Sequence, residues 1–255
     1  MSRGPLVSLR DVSRAFGDRV AVAGVDLTVD EGEFVAILGP SGCGKTTVLR
    51  LIAGLDDPTA GTVGGRDLGP AEGGVAYVFQ DPTLLPWATV FDNVYLPLRI
   101  AGVPRAAAAD RVRAMIARVG LAGREGAWPH ALSGGMRMRA ALARALVTRP
   151  GLLLMDEPFA ALDEITRQQL NDDLLRMVAE SGCTVLFVTH SVAESVYLAT
   201  RLVVMGGVPG HVVGELPVEL GSVRNEALRR DPAYLALCMR ASALLAVGMG
   251  TGGTL

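Results

Sequence analysis

The sequence predicts an α/β fold: a parallel sheet covered on both faces, a small antiparallel β subdomain before it, and an α-helical subdomain inserted within it. Three observations predict this. Short, largely apolar runs such as Leu152–Met155 and Thr184–Thr189 read as strands buried on both faces. These runs alternate with helical patterns at Glu164–Glu180 and Ser191–Ala199, and strands alternating with helices make a parallel sheet. From Ala88 to Leu146 the alternation stops and the pattern stays helical, which marks an insertion.

Each element follows in order. Leu6–Val12 and Val20–Val29 alternate apolar and polar residues, as half-buried antiparallel strands do. Glu33–Leu38 is a short apolar run that ends at a Gly-Pro-Ser-Gly turn, and Lys45–Ala53 then reads as a helix. Val75–Phe79 is another strand. Val90–Ile100, Arg105–Val119 and Gly134–Leu146 are helices, with Pro104 opening the second at its first turn. Leu202–Met205 reads as a strand and His211–Leu216 as an edge strand. Asn225–Ala246 reads as a helix with an apolar stripe, interrupted near Pro232, and Gly248–Leu255 as a frayed tail. The expected organisation is one domain over residues 1–219, with the helical insert at about 88–148 and a C-terminal helical extension over 220–255.

Composition narrows the possibilities. Half of the 255 residues are apolar and a fifth are charged, so the chain is not disordered. A net charge of −2 gives no basic excess, and no nucleic-acid partner is expected. Arg10, Asp11 and Arg14 fall where a signal peptide needs an apolar core, and no run approaches the roughly 18 apolar residues of a membrane span, so a cytoplasmic location is expected. A mean hydropathy of +0.36 hints at large protein interfaces, although the alanine content also raises it. Cys43, Cys183 and Cys238 are far apart and odd in number, which suggests neither a disulfide framework nor a metal cluster. Of 24 basic residues only one is lysine, Lys45.

That lysine lies in Gly39-Pro40-Ser41-Gly42-Cys43-Gly44-Lys45-Thr46, which fits G-x-x-x-x-G-K-[ST] between a predicted strand and a predicted helix. Such glycines let backbone N–H groups turn inward around phosphate oxygens, and the helix N-terminus adds partial positive charge. Lys45 is a compact charge that reaches the β- and γ-phosphates, where a planar guanidinium would not fit. Thr46, followed by Thr47, offers a hydroxyl to Mg²⁺. The second half is Leu152-Leu-Leu-Met155-Asp156-Glu157. A buried strand delivers Asp156 to its C-terminal end, where ligands sit in open α/β sheets. Asp156 is expected to hold Mg²⁺, and Glu157 to act as general base toward a water attacking the γ-phosphate. By itself the acid pair also reads as a helix cap or a solvated turn. Cys43 is a small filler, unless the helix N-terminus lowers its pKa.

These two motifs leave several nucleotide-hydrolysing classes open. Leu132-Ser133-Gly134-Gly135-Met136 resembles the signature of ABC-transporter ATPases, usually LSGGQ, and the resemblance extends over most of the chain. Gln80 matches the family's Q-loop, Ala161-Leu162-Asp163 its D-loop and His190 its switch histidine; Phe16 lies where the family stacks an aromatic on adenine. The resemblance implies a P-loop NTPase (RecA-like) core that binds and hydrolyses ATP with Mg²⁺. It implies Thr46, Gln80 and Asp156 at the metal, and Glu157, His190 and Gln80 at the hydrolytic water. Ser133, Gly134 and Gly135 open a helix as a second anion site, which in the family caps the γ-phosphate held by a second copy of the chain in a head-to-tail dimer. Met136 departs from the usual Gln and removes one polar contact there.

Phe79-Gln-Asp-Pro-Thr-Leu84-Leu85-Pro86-Trp87 and Trp128-Pro-His-Ala-Leu-Ser-Gly-Gly-Met136 resemble the nitrate, taurine and alkanesulfonate import class, and Asp156-Glu-Pro-Phe-Ala-Ala-Leu-Asp163 and the Val208-Pro-Gly-His211 turn agree. That resemblance implies two permease subunits and a periplasmic or lipid-anchored solute-binding protein, with the chain peripheral on the cytoplasmic face of the membrane. The permease's coupling helix would meet Leu84, Leu85 and Trp87, since apolar loop residues are costly to expose without a partner; local packing onto the helical insert is the competing reading. A soluble ABC ATPase without a membrane partner is the alternative function.

Overall fold

The computed structural model describes residues 4–66, 68, 73–221 and 224–250. They form two compact units, residues 1–67 with 184–255, and residues 68–183.

The first unit contains two sheets. β1 (Val7–Phe16) pairs antiparallel with β2 (Arg19–Val29), in a register that sets Val7 opposite Val29 and Ala15 opposite Val20. The other side of β1 takes β4 (Ala60–Gly65), a strand that the sequence reading missed. Its composition, Ala-Gly-Thr-Val-Gly-Gly, reads as a turn. The glycines are there because the backbones touch: a Cβ on Gly61 would lie 2.2 Å from the Asp11 carbonyl oxygen, and one on Gly65 2.2 Å from that of Leu6. The second sheet is parallel. β3 (Phe34–Leu38) lies between β7 (Thr184–Thr189) and β8 (Arg201–Gly206), and β9 (His211–Pro217) adds an antiparallel edge to β8. Every residue of β3 and β7 is buried, as expected for parallel strands covered on both faces. α1 (Lys45–Ile52) follows β3, and α6 (Val192–Leu198) follows β7.

The C-terminal segment differs from expectation in three ways. Glu226–Arg230 is a short 3₁₀ turn, and a separate helix, α7 (Pro232–Gly248), begins at Pro232. Proline fits the first helical position because its missing N–H has no helical partner there. Asp231 is extended and accepts from the Ala233 N–H as the cap. A stripe of Tyr234, Leu237 and Ala241 is buried on β8 and α6, but Leu235, Met239 and Val247 are exposed, so apolar residues surround the helix. Finally, Gly248 is the buried last residue of α7 and not the start of a tail; residues 251–255 lie outside the described residues.

In the second unit β5 (Val75–Val78) runs parallel to β6 (Leu152–Asp156), with Val78 opposite Met155. Between them come α2 (Val90–Ile100), α3 (Arg105–Arg118) and α4 (Gly134–Leu146), which pack on one another; α5 (Glu164–Ser181) follows β6. Thr89 caps α2, accepting from the Asp92 N–H while its hydroxyl donates to the Asp92 carboxylate at 2.8 Å. Pro104 precedes α3 as its cap residue, in extended conformation, and does not lie within the first turn. No helix among the described residues is long and apolar enough to cross a membrane.

Candidate functional site

In the first unit, the predicted residues gather at the C-terminal ends of β3 and β7. The register pairs Leu38 with Thr189, so Gly39 and His190 leave neighbouring strand ends together. The chain after Leu38 turns through Gly42 and Gly44, both with φ between 80° and 90° or at it (84° and 90°), and enters α1. Gly44 is the cap residue, left-handed, and no side chain caps the helix. Ser41, Gly42 and Thr46 are exposed, so the amide-rich end of α1 opens to solvent and suits an anion. Pro40 and Thr47 are half-buried at its margins. Lys45 is buried, and its Nζ donates to the carbonyl oxygens of Gly39 and Pro40, both at 2.9 Å. The ammonium is thereby held across the loop. Cys43 is buried against Gly39, as a filler would be.

Two features behind this loop were not read from the sequence. A Cβ on Gly210 would lie 1.8 Å from the Cys43 carbonyl oxygen, and Gly210 also exchanges backbone bonds with Ala21 and Ala23, both at 2.9 Å. The β8–β9 turn therefore supports the phosphate loop through backbone contact. On the other side, the buried Thr189 hydroxyl donates to Glu194 at 2.6 Å and accepts from the Ser191 N–H at 3.0 Å, which fixes the exposed His190 between them. A lone glycine in a turn and a Thr-Glu pair five residues apart carry no sequence signal of their own.

Phe16 closes β1 and is 48% exposed, so it is not part of the core.

In the second unit Asp156 ends β6. It is buried, and its Oδ2 accepts from the Tyr77 hydroxyl at 3.2 Å. Tyr77 is a partner that the motif did not reveal. The β5–β6 register brings the exposed Gln80, just past Val78, to the same end as Asp156. Glu157 has φ +43°, a left-handed backbone that costs a non-glycine residue about 1–2 kcal/mol. Ser133 caps α4, its Oγ accepting from the Met136 N–H at 3.3 Å, and Ser133 is exposed. Gly134 and Gly135 form the first turn, and a Cβ on Gly135 would lie 2.7 Å from Thr166 Cγ2, so that glycine also serves packing on α5. Asp163 caps α5, accepting from the Thr166 N–H at 2.9 Å; that amide holds its carboxyl below the usual range.

The loop before α2 has its own fixture. Asn93 is fully buried; its Oδ1 accepts from the Leu85 N–H at 2.7 Å, and its Nδ2 donates to the carbonyls of Leu85, Ala88 and Thr89. This pins the loop, while Trp87 stays 72% exposed and Leu84 half-buried. Leu85 lines a groove of about 800 Å³ with Val75, Phe79, Leu96 and Ile100; Arg111 and Arg144 are its charged lining residues.

Among the described residues no group of three or more His, Cys, Asp or Glu gathers as a metal cage. The exposed Thr46 hydroxyl in the first unit and the buried Asp156 carboxylate in the second are each of the hard-oxygen kind that Mg²⁺ takes, one or two carboxylates at a time together with substrate phosphates and water.

A glycine-rich loop between a parallel strand and a helix, with an acid pair ending another buried strand, defines a P-loop nucleotide-binding protein. The chain belongs to the ABC transporter family, whose sequence profile matches residues 22–160. It is 44% identical over 234 residues to the aliphatic sulfonates import ATP-binding protein SsuB 1 of Pseudomonas syringae, covering 91% of this chain and 92% of that protein. It is 50% identical over 222 residues to SsuB 2 of Nocardia farcinica, covering 87% and 88%. Among solved structures it resembles the dimeric ATP-binding cassette MJ0796 in a post-hydrolysis state bound to ADP and phosphate, with a TM-score of 0.71 and 32% identity, covering 84% of this chain and all of that one.

Proposed function

We propose that the chain is the ATP-hydrolysing subunit of a bacterial importer, driving uptake of a small sulfonate, taurine or nitrate-like anion through partner permeases. One observation carries the nucleotide chemistry: the chain's one lysine is buried in the glycine loop and held by two of that loop's own carbonyls. A phosphate oxygen offers that ammonium a charged partner, and charge-assisted bonds are roughly twice as strong as neutral ones. The amides of residues 42–47 and Lys45 bind the β- and γ-phosphates. Glu157 takes the proton of the attacking water, His190 orients the γ-phosphate, and Gln80 senses the water and metal. Thr46 and Asp156 would hold Mg²⁺, which would supply charge neutralisation at the phosphates. Phe16 stacks on the adenine.

Ser133, Gly134, Gly135, Met136 and Asp163 meet the nucleotide of a second copy, giving an ATP-dependent head-to-tail dimer. The dimeric state of the MJ0796 cassette supports this arrangement. Trp87, Leu84, Leu85 and the adjoining groove receive the permease's coupling helix; the exposure of Trp87 on a pinned loop favours a partner over local packing. A solute-binding protein completes the complex, which places this chain peripherally at the cytoplasmic face. The sulfonate importers among its relatives support the choice of solute class.

The test is reconstitution with the neighbouring permease and binding protein in proteoliposomes. Alkanesulfonate should stimulate hydrolysis, and Lys45→Ala should abolish hydrolysis and weaken nucleotide binding. Near-wild-type activity of Lys45→Ala sinks the phosphate-site assignment, and an ATPase indifferent to every permease and solute favours the soluble alternative.

A further inference from the structure

Phe16 does not stand alone at the end of β1. Arg14 lies two residues earlier in the strand, and its guanidinium carbon sits 4.5 Å from the centroid of the Phe16 ring. A cation at that distance is held by the ring's quadrupole. Arg14 Nη2 also lies 3.7 Å from Asp56 Oδ1, while Arg50 Nε donates to Asp56 Oδ2 at 2.6 Å. Arg50 belongs to the last turn of α1, the helix opened by the phosphate loop. The Arg50 hydrogen bond holds the Asp56 carboxyl below its ordinary range; desolvation works against this, and the charges of Arg50 and Arg14 add to it. Phe16, Arg14, Asp56 and Arg50 therefore form one continuous chain of contacts, from an exposed aromatic ring to the far end of the phosphate-loop helix.

We propose that Arg14 is a positioning residue for the nucleotide base. It covers one face of Phe16, leaves the opposite face as the stacking surface for a purine, and ties that surface through Asp56 and Arg50 to the helix behind the triphosphate. The inference rests on the reading of Phe16 as the base-stacking residue. The physical reason is pre-organisation. A ring at an exposed strand end loses rotamer freedom when a base stacks on it, and a guanidinium already in place imposes that order before binding. Arg14 then acts on the base and not on the phosphates.

The two ends of the nucleotide can be separated by measuring equilibrium binding of MgATP and of inorganic tripolyphosphate to the full chain. The variants are Arg14→Ala, Arg14→Lys, Phe16→Ala and the Arg14→Ala/Phe16→Ala double. Arg14→Ala should weaken MgATP binding roughly 2- to 10-fold, the range of a partly exposed cation–π contact, and leave the tripolyphosphate Kd within about twofold. Arg14→Lys should recover only part of the loss, since an ammonium lacks the planar stack, and it serves in place of the alanine variant if that one fails to fold. The double variant should bind no more weakly than Phe16→Ala. Wild-type MgATP affinity in Arg14→Ala beside a weakened Phe16→Ala overturns the role of Arg14 and leaves Phe16 standing. Wild-type affinity in Phe16→Ala removes both together. Equal loss of tripolyphosphate binding, or penalties that multiply in the double variant, places the effect of Arg14 away from the base and also overturns it.

Discussion

The ends of β3 and β6 meet the same geometric demand with opposite chemistry. After β3 the chain turns through glycines with φ of 84° and 90°, where left-handed backbone costs little. After β6 it takes a left-handed conformation on Glu157, at φ +43°, where it does cost. The difference follows from what each turn presents. The phosphate loop presents backbone amides, so its left-handed positions can be glycine; at Gly44 a Cβ would in addition lie 2.3 Å from Val22 Cγ1. The turn after Asp156 presents a carboxylate, so glycine is not an option and the strain persists. Strained backbone of this kind is retained where the side chain has work to do.

The largest test of that comparison exchanges the carboxylate alone. Glu157→Gln should lower kcat roughly 10²- to 10⁴-fold while retaining ATP binding, the loss expected on removing a general base. Glu157→Gly should be equally inactive yet melt no lower than wild type, because relief of roughly 1 kcal/mol of left-handed strain offsets the added freedom of the unfolded chain. A clear fall in its Tm means that contacts of the Glu157 side chain, and not its chemistry, keep that backbone left-handed. The mirror experiment adds a Cβ to the other turn. Gly44→Ala should cost about 1–3 kcal/mol in urea unfolding and weaken ATP binding. Gly210→Ala, whose Cβ would meet the Cys43 carbonyl, should share both effects although it lies outside the motif. Wild-type affinity in Gly210→Ala removes the supporting role of the β8–β9 turn.

A smaller effect separates presenting a residue from being presented. Asn93→Ala leaves the loop before α2 without its four bonds and should destabilise by about 1–3 kcal/mol. Trp87→Ala, on the exposed tip of that loop, should stay within about 0.5 kcal/mol of wild type and lose co-purification with the permease. Strong binding of Trp87→Ala to permease moves the coupling surface elsewhere.

The smallest effect belongs to the opposite ends of the strands. Arg201, which begins β8, bonds Glu33 through Nη2 at 2.8 Å and Nε at 3.2 Å, Glu215 at 2.8 Å and the Thr28 carbonyl at 2.6 Å. Desolvation opposes it, but the Arg201 bonds leave the Glu33 carboxyl below its ordinary value of 4.5. A depressed folded pKa contributes stability that is present above the unfolded value and is lost as pH falls through the folded one. Glu33→Gln should therefore narrow the stability gap between pH 7 and pH 3 without moving ATP affinity. An unchanged acid-unfolding profile shows that this network is not what acid disrupts.

Much of the candidate site was legible because phosphate chemistry constrains local sequence. Gly39 to Thr46 is a run of consecutive residues whose spacing reveals it, whereas Asp156 with Glu157 gained its reading from that loop, and Ser133 with its two glycines from the family resemblance. The supporting contacts of Gly210 and Tyr77 were not legible because they join residues far apart in sequence, and those of Asn93 and of Thr189 with Glu194, although local, because no residue pattern marks them. β4 was hidden for a related reason: its glycines accommodate the β1 backbone, and in sequence they look like a turn. Pro232 was read as an interruption because a proline after helical residues breaks a helix; here it starts one, since the preceding segment closes as a 3₁₀ turn.

The sequence by itself determined the alternation of strands and helices, the phosphate loop, the acidic strand end and the family, since each depends on residues near one another along the chain. Only the tertiary structure decided which glycines give room to a neighbouring backbone, which buried polar side chains hold a loop, and that Arg14 lies over Phe16. Those contacts, whether between near or distant residues, depend on the path of the backbone, and their energy exists only once the chain has brought them together.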